Sequence, residues 1–113
     1  MVQDMASSDA IESPLSVRRT NSGGQLVLDV SGEVDAASAD TLRNAIFEVI
    51  DGGEPRVIID MTDVSFMDSS GLRVLIAGYK AADQAGGALT VQHPSDVVTR
   101  LLEITGQLDR FVR

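Results

Sequence analysis

From residue 15 onward the apolar positions first recur every second residue and then every third or fourth. Residues 15–19 alternate, as do residues 25–31, where Leu26, Leu28 and Val30 fall on one side. Asn21-Ser22-Gly23-Gly24 separates the two runs with residues that tolerate positive φ, which predicts a β-hairpin. The period then changes. Ala39, Leu42, Ala45-Ile46 and Val49-Ile50 make one helical stripe, and Gly52-Gly53 ends it. Pro55 precedes residues 56–60, whose almost unbroken apolar run predicts a strand covered on both faces.

Residues 61–67 lose any clear period and read as a connecting loop, with Val64 and Phe66 tucked beneath the structure and Met61 and Met67 filling gaps. A second helix carries Leu72, Leu75, Ile76 and Tyr79 at i, i+3, i+4, i+7, and Gly86-Gly87 closes it. Ala88–Gln92 is the next strand. His93-Pro94-Ser95-Asp96 opens a third helix with Val98, Leu101-Leu102 and Thr105 inward, and Gly106 ends it. Residues 108–112 read as a last short strand. The order is β-β-α-β-α-β-α-β, which predicts a single α/β domain on a mostly parallel mixed sheet, with helices packed on it and the first hairpin as antiparallel edge. Residues 1–13 are rich in Ser, Asp and Ala without apolar period and read as a disordered leader; the domain occupies 14–113.

Composition narrows the chemistry. Among 113 residues there are 17 acidic and 9 basic side chains, a formal charge of −8. Such acidity argues against direct binding to nucleic acid or an anionic membrane and favours neutral or basic partner surfaces. Cysteine is absent and His93 is the one histidine, so thiolate chemistry and Cys- or His-rich metal centres are excluded. No apolar run approaches membrane-spanning length, and no signal-peptide layout opens the chain, so a cytoplasmic protein is expected.

The residues with chemical promise lie where strands meet helices. Asp68-Ser69-Ser70-Gly71 stands at the first turn of the central helix, where free N–H groups and the positive dipole end favour an anion. Two hydroxyls there fit a phosphorylated switch or, alternatively, simple helix capping. Asp35 occupies the corresponding place before the first helix, either as its N-cap or as a carboxylate on the same rim as Ser70. His93 reads as a loop or capping residue.

Gly32-Glu33-Val34-Asp35 and Ser65-Phe66-Met67-Asp68-Ser69-Ser70-Gly71-Leu72 resemble the STAS-domain anti-sigma factor antagonists of bacteria, over residues 15–113. The resemblance implies partner switching. The unphosphorylated antagonist binds an anti-sigma factor that is also a serine kinase, and so frees a sigma factor. That kinase phosphorylates the second serine of the motif, Ser70 here, and a metal-dependent serine phosphatase reverses the step. The ATP belongs to the kinase, so the chain itself needs no cofactor or metal and is not an enzyme. Asp35, Asp68, Ser69, Gly71 and Arg73 are expected to meet the partner, with Gly71 leaving room for the kinase and Arg73 alternatively a solvated helix residue. Family members often add a C-terminal helix after the last strand, so that helix is expected to be missing.

Two other classes compete. A STAS module binding a nucleotide or other small ligand would use the helix start as a phosphate cradle, but Gly-x-x-x-x-Gly-Lys-Ser/Thr and Gly-x-Gly-x-x-Gly are both missing. An unphosphorylated scaffold in a signalling complex is a related alternative. A serine hydrolase would need Gly-x-Ser-x-Gly, which is also missing, and would have His93 as its base.

Overall fold

The computed structural model describes residues 15–112, so the expected leader lies outside the described residues. Strand β1 (Leu15–Ser22) pairs antiparallel with β2 (Gln25–Val34), as the hairpin reading requires. Helix α1 (Ala39–Asp51) leads to β3 (Arg56–Met67), helix α2 (Ser69–Gln84) to β4 (Ala88–Gln92), and helices α3 (Asp96–Ile104) and α4 (Leu108–Phe111) follow. β2, β3 and β4 run parallel, and the described residues form one four-stranded sheet in the order β1-β2-β3-β4.

One face of this sheet is the core. Leu28, Ile59 and Val91 are register partners across three strands, and all are buried. Leu42, Ile46, Val49, Leu75, Val98 and Leu102 close over them from the helices in one hydrophobic cluster. Side chains one position along point the other way. That opposite face carries Arg18, Asp29, Asp60 and Gln92 in one row and remains partly open. No helix among the described residues is long and apolar enough to cross a membrane.

The glycine stops of the sequence are helix ends of one kind. Gly53, Gly86 and Gly106 each take positive φ, and the next residue donates back to the helix: Glu54 to Val49, Gly87 to Ala82 and Gln107 to Leu102, at 3.1, 2.8 and 2.7 Å.

Five expectations change. The strand at residues 56–60 is covered on one face only, with Ile58 and Asp60 half-buried on the other. Residues 61–67 are not a loop but the continuation of β3, kept in register with β2 by two bulges. Phe66 is therefore not tucked away but exposed. Residues 108–111 form a helical turn and no strand: the chain reverses at Gly106, and the Val112 N–H donates to the Leu108 carbonyl at 2.9 Å. There Phe111 is fully buried, edge-on to Tyr79 at 5.7 Å between ring centroids. At the C-cap of α3, Thr105 is exposed, contrary to its inward reading, and its hydroxyl donates to the Leu101 carbonyl at 2.7 Å.

Candidate functional site

β2 and β3 end side by side, with Val34 opposite Met67, and the Asp68 N–H donates to the Val34 carbonyl at 3.2 Å. The turns that carry Asp35 and Asp68 consequently share one rim at the carboxyl ends of the parallel strands, the usual place for functional groups in such sheets.

Asp68 is the N-cap of α2. Its Oδ1 accepts from the Ser70 N–H at 2.8 Å, and its carbonyl accepts from Gly71 and Leu72 at 3.1 and 3.2 Å. The capping role that sequence left open for the serines thus belongs to the aspartate before them. Ser69 is exposed and Ser70 half-buried, and neither hydroxyl has a hydrogen-bond partner among the described residues. Gly71 is buried: a Cβ there would stand 2.8 Å from both Val34 Cγ1 and Met67 Cγ. Its small size lets α2 seat on the strand ends, a packing role that the sequence did not show. Arg73 is exposed on the following turn.

Asp35 does not cap α1 directly. The N-cap position is Ser38, and α1 starts at Ala39. Asp35 instead organises the turn before it: Oδ1 accepts from the N–H groups of Ala37 and Ser38, both at 3.0 Å. Ser38 is 5% exposed. Its hydroxyl donates to the Glu33 carbonyl at 2.7 Å and accepts from the Asp35 N–H at 3.0 Å.

The rim is acidic. No Lys or Arg occurs in residues 31–42 or 57–72, whereas Glu33, Asp35 and Asp68 lie at the strand ends and in the turns that follow. A polar recess of about 330 Å³ lies on the open sheet face between Arg18, Asp29, Asp60 and Asp63, and Ser70 does not line it. No group of three or more potential metal ligands gathers among the described residues. His93 Nδ1 lies 3.3 Å from Asp60 Oδ2, and no hydrogen bond joins His93 to Ser70.

The STAS domain family model matches residues 16–112. The chain belongs to the STAS domain family. Its match to the anti-sigma-B factor antagonist of Bacillus subtilis is 35% identical over 82 residues, covering 73% of this chain and 74% of that protein. With the anti-sigma-B factor antagonist of Listeria monocytogenes the identity is 40% over 82 residues, covering 71% and 70%. The crystal structure of an anti-sigma factor antagonist from Mycobacterium paratuberculosis superposes with a TM-score of 0.73 at 28% identity, covering 86% of this chain and 82% of that one.

In this STAS domain Asp35, Asp68, Ser69 and Ser70 meet on one rim, Gly71 lies beneath it, and Arg73 stands one turn along. Sequence reasoning missed two residues here. The Asp-x-x-Ser spacing of Asp35 and Ser38 is a usable sign of a local side-chain turn. Phe66 carried no such sign, because its exposure depends on a bulge.

Proposed function

We propose that this STAS domain is an anti-sigma factor antagonist whose hold on an anti-sigma factor serine kinase is broken by phosphorylation of Ser70. The names of its relatives support the antagonist role. The observation that carries the switch is the pair of unengaged hydroxyls at the start of α2, on a rim where Asp35, Ser38 and Asp68 are each held in hydrogen bonds.

A phosphate brings about −1.5 to −2 charges at neutral pH. On Ser70 it lies at the positive end of α2, which tolerates it. The Ser70 hydroxyl holds nothing in place, so the fold has no bond to lose. A partner fitted to a neutral hydroxyl then meets bulk and negative charge beside Asp68. Such mismatches cost several kcal/mol, and each ~1.4 kcal/mol is tenfold in affinity. A local block suffices without rearrangement. A serine phosphatase resets it. The kinase holds the ATP, so this chain acts by binding, in the cytoplasm where its partner works.

The test takes purified anti-sigma factor kinases from the source organism. Each is incubated with the chain and ATP, the modified residue is mapped by mass spectrometry, and Kd is measured for wild type, Ser70→Ala and Ser70→Glu. Modification at Ser70 is expected, with wild-type affinity for Ser70→Ala and a loss of about 100-fold or more for Ser70→Glu. Equal affinities for all three, or modification elsewhere, reject the reading.

A further inference from the structure

Strict alternation along β3 would give Val64 and Phe66 the same face. Val64 is buried in the core, yet Phe66 is 45% exposed. The reason is a bulge: Gly32 pairs with Val64 but Glu33 pairs with Phe66, which leaves Ser65 as an extra residue on β3. The Ser65 hydroxyl donates across to the Gly32 carbonyl at 3.3 Å, and Gly32 takes φ +106°. Beyond the bulge Met67 points inward with Val34 beneath Gly71, and Phe66 turns outward with Glu33. Bulges of this kind re-aim side chains near functional sites. Here one presents an aromatic ring to solvent two residues before the cap of α2.

The surroundings of that ring are specific in charge. Glu33 is its register partner, Asp68 follows two residues on and Asp35 lies on β2's turn, while Asp63, three residues before, faces the recess it shares with Arg18. An apolar ring inside an acidic border complements an apolar pocket bordered by Arg and Lys.

We propose that Phe66 is the apolar anchor of the anti-sigma factor docking surface, seated in a pocket of the partner whose margin is basic. This rests on the antagonist reading above and extends the contact from the start of α2 onto the open side of the β2–β3 ends. Aromatic anchors near an interface centre dominate binding energy, and rim charges contribute mainly through steering and salt dependence.

The experiment measures Kd of whichever anti-sigma factor kinase binds the chain in the test above, for wild type, Phe66→Ala, Phe66→Leu, Glu33→Gln and Ser70→Glu, at low and moderate salt, with thermal melts of each variant. Phe66→Ala is expected to weaken binding about tenfold or more, with its melt near wild type and part of the loss restored by Phe66→Leu. Glu33→Gln is expected to weaken binding a few-fold and to flatten the salt dependence. Unchanged Kd for Phe66→Ala while Ser70→Glu still fails to bind overturns the anchor and leaves the switch standing. A melt for Phe66→Ala lowered as by a core truncation makes Phe66 a packing residue and also overturns it. If Ser70→Glu binds like wild type, the switch falls with its own test.

Discussion

After β2 the chain turns on Asp35, and after β3 it turns on Asp68; each carboxylate accepts from the N–H two residues on, at 3.0 and 2.8 Å. From that shared start the two turns diverge in what becomes of their serines. In the first, Ser38 is buried and bonded to the Glu33 carbonyl. In the second, Ser69 and Ser70 stand at the helix start with hydroxyls that nothing in the described residues engages. An aspartate before a serine thus does not by itself leave the hydroxyl free. Whether the backbone already claims the hydroxyl decides it.

The sharpest way to break this contrast is to place the same charge at both serines. Ser38→Asp puts a second carboxylate into a nearly sealed site beside Asp35 and removes the donor to Glu33. It is expected to destabilise the domain by about 3–5 kcal/mol, read by urea unfolding. Ser70→Asp is expected to stay within about 0.5 kcal/mol of wild type, because its half-buried hydroxyl holds no bond and the added charge sits at a helix N-terminus. Equal losses would mean that Ser70 is as structural as Ser38.

A smaller effect sharpens the comparison of the aspartates. Asp35 accepts from two N–H groups, and Ser38 Oγ lies 3.1 Å from its Oδ1, whereas Asp68 receives one side-chain bond. Asp35→Ala is therefore expected to cost about 1–2 kcal/mol and Asp68→Ala about 0.5–1 kcal/mol. The reverse order in chemical denaturation would reject the ranking.

Most of this architecture was legible in the sequence wherever a period held. The alternation of 25–31, the stripe from Ala39 to Ile50 and the glycine stops all correspond to elements of the structure. Legibility failed on β3 for a definite reason. Each of its two bulges adds a residue, so Met61, Val64 and Met67 are buried at spacing three, which fits neither a strand nor an amphipathic helix. Phe66 was misplaced by the same shift. Residues 108–112 have strand-like composition, but the reversal at Gly106 and the ring contact with Tyr79 made them a helical turn, a tertiary effect that local propensity does not contain. At the site, the serines and both aspartates were visible as a motif. The packing role of Gly71 was not, because Val34 and Met67 reach it only through the fold.

The weakest effect concerns a third aspartate whose carboxylate accepts from the N–H two residues on, as those of Asp35 and Asp68 do. Asp60, at the first bulge of β3, accepts from the Thr62 N–H at 3.0 Å and the Thr62 hydroxyl at 2.7 Å, with His93 Nδ1 at 3.3 Å. Burial pushes its carboxyl up, but the Thr62 bonds and His93 together outweigh burial and hold it below the ordinary value of 3.8. A carboxyl depressed in the folded state stabilises the fold above its unfolded pKa, and that contribution is lost as pH falls through the folded value. The loss therefore falls below about pH 4. Because the group is partly solvated, the contribution is at most about 1 kcal/mol. Asp60→Asn should lower stability by no more than that at neutral pH, and the gap from wild type should close in denaturation measured below about pH 4. A gap that stayed constant down to about pH 2 would separate Asp60 from the acid limb.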